Sequence, residues 1–330
     1  MKLERQIANF YVEQFLASTS LTRRNINSEI LQDKMSRIWK HAHVKEYLEK
    51  DGLRAFMAII KVPRIDTDKK KCDYLIYGFE NAQGESWVKE KFLKYQHLLV
   101  KESMIETPSS HIQMSQFFCE HGFFVESVGT FGQVDKALKI IKEKYPNIQE
   151  EVNKLNLEVE PFVDPKDIPE MVQIWKDVFS ENPEYFFCGS RKTFLAKHRQ
   201  ELLGKFQSYC SGESRNIHYL FKQNGKILGY CDTSIHNNVP WSKSNAGTQF
   251  CLRPELRGKR LGIYSYWLML QDLSSVGVKT FSGNTSNPAV MKLAKTMKRT
   301  PTNYLMLKGE GFFEPQYFFD FVKSCKVDKI

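Results

Sequence analysis

The sequence predicts an α/β fold in which helices flank a mixed, mostly antiparallel sheet, an arrangement present in two successive domains. Three observations support this prediction. The chain has 330 residues, and a single domain typically spans about 100–200 residues. Short apolar, β-branched runs alternate with longer segments of helical periodicity. A polar stretch at 145–155 separates two such series, so we predict one domain over residues 1–150 and another over residues 151–330.

The first domain begins with helices and continues into strands. Residues 1–50 carry apolar side chains at helical spacing. The apolar runs 53–62 and 74–77 flank a polar loop and predict an antiparallel pair of strands. The remaining predicted elements are a helix at 86–102, a strand at 104–107, a helix at 112–121 and a strand at 124–129.

The second domain has a denser series of strand and helix signals. Asp167 and Pro169 are typical of a helix start, and Asn224-Gly225 between two apolar runs predicts a hairpin with a type I′ turn. The predicted strands are 157–161, 217–222, 227–233, 248–252 and 279–284, and the predicted helices are 167–178, 192–206, 263–276 and one from 287 onwards. The aromatic tail at 312–321 is predicted to pack as a helix on the core.

One loop carries the main functional signal. Residues 257–262 read RGKRLG and lie between a predicted buried strand, closed by Pro254, and a predicted helix. A helix start leaves backbone N–H groups unpaired and carries partial positive charge, so it attracts anions such as phosphate. The loop lacks the GK[ST] ending of a P-loop and the GxGxxG spacing of a dinucleotide fold. We therefore predict that it holds the pyrophosphate of another nucleotide-like cofactor.

This segment resembles the signature of the GNAT superfamily of acyl-CoA N-acyltransferases, whose glycine-rich loop joins the fourth strand to a helix. Arg257, Gly258 and Gly262 match that signature, whereas Arg260 replaces its middle glycine. Asn287 matches an Asn that the family commonly carries after the next strand. The resemblance implies acetyl-CoA as cosubstrate and direct attack by a primary amine. The cofactor-binding residues that it implies are Phe250, Cys251, Leu252, Arg257, Gly258, Lys259, Arg260, Leu261, Gly262 and Asn287.

The first half resembles a degenerate copy of the same fold, with an unrelated helical or α+β domain as the alternative. Residues 117–123 read FFCEHGF and are similar to the pattern that ends the family's final helix. No basic glycine-rich loop lies between Phe79 and the helix predicted from Ser86. We therefore expect no CoA site in this half.

The catalytic residues are less directly indicated. Asp232 lies on the second strand of the predicted hairpin and is our candidate general base, acting directly or through water; His236 follows it in the next loop. The family often has a tyrosine as general acid seven residues after the Asn, but this chain has Ala294 there. Tyr304 is our candidate for the missing acid, and Tyr264 is a second.

Composition restricts the partners and the compartment. The formal net charge of +10 favours an anionic partner such as CoA, and no helix-turn-helix, zinc-finger or RNA-binding motif indicates nucleic acid. The seven dispersed cysteines contain no CxxC pair, which indicates reduced thiols and no metal site. We find neither a signal peptide nor a run of about 20 apolar residues, so we expect a cytoplasmic protein with no membrane partner.

Two other functions are open alternatives at this point. A regulatory protein that binds acyl-CoA without turnover is consistent with Ala294 and with the altered glycine position at Arg260. A basic nucleic-acid-binding or scaffold protein is consistent with the net charge. For the favoured reaction, the acceptor is a small-molecule or peptide amine, and we expect its pocket between the segments 179–215 and 235–246.

Overall fold

The computed structural model describes most of the chain. The described residues are 2–18, 26–63, 71–101, 103–161, 164–181, 200, 203–204, 207–208, 211, 217–236, 245–311 and 313–325. The helices are α1 (Lys2–Ser18), α2 (Ser28–His41), α3 (Ala82–Tyr95), α4 (Ile112–Glu120), α5 (Val134–Lys144), α6 (Ile148–Asn153), α7 (Ile168–Glu181), α8 (Leu261–Ser275), α9 (Pro288–Thr296) and α10 (Pro315–Ser324). The strands are β1 (Val44–Lys50), β2 (Leu53–Pro63), β3 (Lys71–Phe79), β4 (Met104–Pro108), β5 (Phe123–Gln133), β6 (Glu158–Pro161), β7 (Ile217–Gln223), β8 (Lys226–His236), β9 (Asn245–Leu252), β10 (Thr280–Thr285) and β11 (Thr300–Lys308). No helix within these residues is both long and apolar enough to cross a lipid bilayer.

Within the described part of the chain, the strands form one 11-stranded sheet. Their order is β1-β2-β3-β4-β11-β5-β10-β9-β8-β7-β6. The pairs β3–β4 and β9–β10 are parallel, and the other adjacent pairs are antiparallel. The predicted α/β class, with helices flanking a mixed, mostly antiparallel sheet, is confirmed.

The two halves of the chain exchange their last strands in the middle of this sheet. Strand β11 of the second half lies between β4 and β5, with Tyr304 opposite Thr107 on one side and Val128 on the other. Strand β5 of the first half lies between β11 and β10, with Gly129 opposite Asn284. Each half therefore supplies a central strand to the other. The domain boundary near residue 150 stays a prediction.

The helices divide between the two faces of the sheet. Helices α1, α2 and α7 cover the face that we call the back face, where they bury Phe56, Phe131 and Tyr230. The face that we call the front face carries α3, α4, α9 and α10 over one part of the sheet and α5, α6 and α8 over the other, where Phe281 is fully buried. Burial of these side chains is the main stabilising contribution to the fold.

Several boundaries differ from the sequence prediction. Residues 44–50, predicted as helical, form the edge strand β1 because Asp51 and Gly52, with φ of 52° and 78°, turn the chain tightly into β2. The stretch at 145–155, which reads as a linker or short connecting helix, contains the short helix α6. Most of the helix predicted at 192–206 lies outside the described residues. The hairpin prediction is confirmed, since Asn224 and Gly225 have φ of 51° and 74°, as a type I′ turn requires.

Candidate active site

The parallel strands β9 and β10 diverge and open a gap in the sheet. They pair at three positions, from Thr280 opposite Asn245 to Ser282 opposite Gly247, and the Asn245 amide donates to Ser282 Oγ at 2.8 Å. Beyond Gly247, β9 keeps β8 as its partner but has no strand partner on the β10 side among the described residues. An open strand edge therefore runs along 248–252.

The backbone of every second residue of β9 points into this gap. Arg253 N–H donates to Leu228 O of β8 at 2.9 Å. The backbone groups of successive residues in an antiparallel strand point alternately towards the partner strand and away from it. Phe250 and Leu252 therefore direct their N–H and C=O groups into the gap. Leu252 O accepts a hydrogen bond there from Arg257 Nε at 3.3 Å.

The loop after β9 presents a row of backbone N–H groups. Gly258 (φ 77°) and Arg260 (φ 59°, ψ 8°) are both in the left-handed region. Ile263 and Tyr264 both donate their N–H groups to Arg260 O. Within the described residues, the N–H groups of 258–262 donate to no backbone or side-chain acceptor. Consecutive unpaired N–H groups at a helix start form a binding site for an anion.

Arg260 stands where the family signature has glycine, and a glycine adopts this φ at lower energetic cost. Its guanidinium binds Glu151 of α6, with Nη1 at 2.8 and 2.9 Å from the two carboxylate oxygens, and lies 5.9 Å from the centre of the Tyr145 ring. The Arg260 side chain is 56% exposed. This ion pair is therefore screened by water and salt, at the rim of the loop.

The gap, the loop and helix α9 enclose a cleft of 550 Å³, a volume in the range of small-molecule sites. Phe250 and Leu252 line it from β9, and Leu293 lines it from α9. Gly262 permits the close approach of α8 and α9, since a Cβ at this position would lie 2.8 Å from Leu293 Cδ1. Asn287 lies at the edge of the cleft, where its side chain caps α9.

Most of the predicted cofactor-binding residues meet at this cleft. Those that line it are Phe250, Leu252, Arg257, Gly258, Arg260, Leu261, Gly262 and Asn287. Lys259 belongs to the loop but does not line the cleft. Cys251 lies on the back face, where its buried side chain packs beneath α7 with Trp175, because successive side chains of a strand point to opposite faces.

Asp232 is a buried carboxylate beside the gap. It lies on β8 opposite Gln249 of β9, about 5 Å away by the usual strand spacing, and is 1% exposed. Its neighbour Cys231 packs in the front-face core, so Asp232 faces the back of the sheet. Burial, and then the charge of Asp232, raise the pKa of the Cys231 thiol. That thiol therefore stays protonated and is a poor nucleophile.

Tyr304, the predicted general acid, lies away from the cleft. It is on β11, three strands from β9 and so about 14 Å away. Its fully buried ring packs edge-on against Phe319 with the ring centres 5.4 Å apart, and burial raises the pKa of its hydroxyl. The exchanged position of β11 beyond β5 is the physical reason for this correction. Tyr264 is also buried, stacked on Trp267 at 5.5 Å.

The first half contains a matching gap between β3 and β4, but side chains fill it. These strands pair at two positions. His111 stacks on Phe79 at the mouth of the gap, with ring centres 4.5 Å apart. Asn81 Oδ1 accepts from the N–H groups of Gln83 and Gly84 at the start of α3. A cavity of 30 Å³ is left, about the volume that one water molecule occupies in the liquid.

Because His111 is buried in the filled gap, we predict that the stability of the protein depends on pH. Burial lowers the pKa of His111 from 6.5 to about 4. Between these values the unfolded chain binds the proton and the folded chain does not, so stability falls as the pH falls. We expect the free energy of unfolding to drop by up to about 3 kcal/mol from pH 6.5 to pH 4, as measured by urea unfolding at each pH.

A phenylalanine at this position tests that assignment. His111→Phe keeps the stacking on Phe79 and removes the titrating group, so the variant should lose this pH dependence. His97→Phe, at an exposed position, is the control and should keep it. An unchanged pH profile in His111→Phe would show that another group is responsible.

Comparison with solved structures shows the fold of the chain, whereas comparisons with known sequences find nothing similar. A scan against protein-family models and a search of curated proteins both find no match. A GCN5-related glucosamine N-acetyltransferase region of a fungal multi-domain β-N-acetylglucosaminidase superposes with a TM-score of 0.50 and 13% identity, over 92% of this chain and 36% of that one. The chain has the GNAT fold.

Other solved GNAT structures also span most of the chain. A tandem GNAT protein from the clavulanic acid biosynthesis pathway matches with a TM-score of 0.47 and 10% identity, over 91% of this chain and 92% of that one. A GCN5-related N-acetyltransferase from Kribbella flavida matches with a TM-score of 0.41 and 8% identity, over 93% and 96%. Both halves of the present chain contain a diverging parallel pair of strands, so the first half is a degenerate copy of the GNAT fold whose gap is filled.

Three further residues of the site were not predicted from the sequence. Tyr145 and Glu151 come from the predicted linker and contact Arg260; the apolar pair four residues apart at 148 and 152 was an available signal for the helix that carries Glu151. Buried Arg299 donates to Thr130 O at 3.1 Å and to Gly283 O at 3.2 Å. It thereby holds β10 against β5 where β10 leaves β9. No local pattern marks that role.

Proposed function

We propose that the protein is a GNAT-type N-acetyltransferase that moves an acetyl group from acetyl-CoA to a primary amine by direct attack. The observation that carries this proposal is the row of unpaired N–H groups at 258–262 at the mouth of a gap with an open strand edge. CoA matches both parts, since its diphosphate is an anion and its pantetheine arm contains amide groups that can pair with a strand. The fungal neighbour is described as a glucosamine N-acetyltransferase, which agrees with this reaction class.

The residues of the cleft divide the binding of CoA among them. The N–H groups of 258–262 would hold the diphosphate, assisted by the charge of Arg257. Phe250 and Leu252 would pair with the pantetheine amides through their backbone groups in the gap. Lys292 lines the cleft from α9 and is our candidate for the remaining phosphate.

The acetyl transfer needs a free amine and a stabilised oxyanion. Acetyl-CoA supplies a thioester, whose carbonyl carbon is the electrophile. Asp232 would accept the first proton from the acceptor ammonium, and the resulting amine forms the C–N bond as the C–S bond breaks. The second proton that nitrogen loses on amide formation returns to the leaving thiolate. The Phe250 N–H in the gap would stabilise the oxyanion, so that the Phe250 C=O and the Leu252 backbone would pair with the pantetheine amides.

A protein that binds acyl-CoA without turnover is the second candidate. The observation that favours it is Ala294, which is fully buried in α9 at the position where family members commonly have a tyrosine. Tyr304 lies too far from the gap to replace that tyrosine. The leaving thiolate therefore has no assigned acid.

Calorimetry with CoA, followed by an acetyl-transfer assay, tests both candidates. The assay measures thiol release from acetyl-CoA with polyamines, aminosugars, free amino acids and lysine-containing peptides as acceptors. Binding with thiol release supports the transferase. Binding without release from any acceptor supports the second candidate, and the absence of binding heat rejects both.

The ion pair between Arg260 and Glu151 gives a further prediction. Glu151 competes with the diphosphate for this guanidinium, so Glu151→Gln is expected to raise the affinity for CoA by about two- to fivefold, the contribution of one exposed ion pair. Calorimetry at low and high salt measures the effect, which should shrink as salt screens the charges. Glu150→Gln, on the exposed neighbouring position, is the control. Weaker binding by Glu151→Gln would show that Glu151 supports the loop instead.

We propose a small-molecule or peptide amine as acceptor and the cytoplasm as the compartment. None of the cysteines in the described residues forms a disulfide, which supports a reducing environment. Burial raises the pKa of Cys119 to about 12, so that thiol stays unreactive. The predicted acceptor segments 179–215 and 235–246 lie largely outside the described residues.

A further inference from the structure

A second cavity lies on the back face of the sheet, next to the gap. It has a volume of 310 Å³, near the lower limit of small-molecule sites. Ser282, Gly283 and Asn284 of β10 form one end of it. Gly283 also borders the gap, since a Cβ there would lie 3.6 Å from Thr248 O of β9. The back-face cavity therefore reaches the gap at β10, where β10 leaves β9.

Glu106 of β4 lies at the other end of the back-face cavity. Strands β11 and β5 separate β4 from β10, which places the two ends about 14 Å apart. Glu106 Oε2 accepts a hydrogen bond from Tyr74 OH at 2.6 Å. Within the described residues, no Lys, Arg or His forms an ion pair with this carboxylate. Lys34 also lines this cavity but forms no ion pair with the carboxylate, so the carboxylate can pair with a cationic group of a ligand.

We propose that this cavity binds the acceptor, and that the acceptor is a small diamine or polyamine. One amino group reacts at the β10 end, where the cavity meets the gap, and a second, cationic group pairs with Glu106 at the far end. A single amino group cannot occupy both ends, so Glu106 selects for the second charge. This inference rests on the proposed acetyl transfer. It gives the degenerate first half a role in recognising the acceptor.

Glu106→Gln tests the proposal. Gln keeps an oxygen that can accept from Tyr74 OH, so the fold is expected to be retained. The KM for spermidine or putrescine should rise about tenfold to a hundredfold, the loss of one charge-assisted hydrogen bond. The KM for butylamine and the affinity for CoA should not change. Glu120→Gln, at an exposed position of α4, is the matched control.

Lys34→Met is a second variant, for which we expect the opposite change in the KM for spermidine. Lys34 of α2 lines the same cavity, so its ammonium repels a cationic acceptor. Its replacement should lower the KM for spermidine, a change that a damaged fold does not produce.

The outcomes separate the two proposals. Absence of CoA binding in calorimetry overturns the acetyl transfer and this inference together. If CoA binds, three results overturn this inference alone. The first is a spermidine KM in Glu106→Gln equal to that in Glu120→Gln. The second is equal KM values for butylamine and putrescine. The third is that no diamine or polyamine causes thiol release from acetyl-CoA.

Discussion

The Asp232→Asn variant is expected to lower kcat by at least about a hundredfold, the usual contribution of a general base, and to leave the affinity for CoA unchanged. Asp232 is buried and lies one strand from the gap, opposite Gln249. Asparagine has nearly the same shape but cannot accept a proton at neutral pH. Because the loop proposed to bind the diphosphate, at 257–262, lies elsewhere, the variant should lose turnover and keep CoA binding. Steady-state thiol release and calorimetry measure the two quantities.

Asp73→Asn is the matched control for this variant. Asp73 is also a buried aspartate on a strand, 2% exposed on β3 of the degenerate half, where its Oδ2 accepts from Lys61 Nζ at 2.6 Å. Its replacement is expected to lower the thermal midpoint but not kcat. Equal kcat values in the two variants would exclude Asp232 as the base.

The Gly258→Val variant is expected to weaken CoA binding at least about tenfold, roughly 1.4 kcal/mol. Gly258 has φ of 77°, and a Cβ there would meet no atom within 4 Å. The effect therefore comes from the backbone alone, because a β-branched residue resists this φ. The loop relaxes towards negative φ, and the N–H groups of 258–262 no longer converge on one anion. Calorimetry with CoA measures the loss.

Gly52→Val separates backbone strain from binding. Gly52 has φ of 78° with no atom within 4 Å of an added Cβ, but it lies in the turn between β1 and β2, far from the cleft. Both variants should lose about 1–3 kcal/mol of stability, and only Gly258→Val should lose affinity. A similar loss of affinity in both would mean that the loop does not form the anion site.

The position of the 257–262 loop between a strand and a helix could be predicted from the sequence because its determinants are local. Pro254 ends a strand, two glycines and three cations follow at 257–262, and an apolar helix begins directly after them. Glycine favours the left-handed φ that Gly258 adopts, whereas arginine does not favour the left-handed φ of Arg260 (59°), which the residue type therefore did not predict. The fold class was accessible for the same reason, since strand and helix periodicity are local properties.

The position of β11, and with it that of Tyr304, could not be predicted in this way. The pairing of β11 with β4 and β5 joins residues far apart in the chain, and no local pattern specifies such a partner. A partial signal was present at the start of β5, where Phe123, Phe124 and Val125 form a continuous apolar run, as expected of a strand that is buried on both faces. The back-face cavity at Glu106 depends on the same exchange, so no local pattern indicates it either.

The exchanged strands also affect how the protein can be made. During synthesis, β4 and β5 leave the ribosome while Thr300 has yet to be added, a delay on the order of 10–30 s at ordinary translation rates. Until β11 arrives, the facing edges of both strands are unpaired and can associate with other nascent chains. The newborn first half therefore keeps two strand edges open until the end of the second half has been synthesised, which lengthens the time during which it can aggregate.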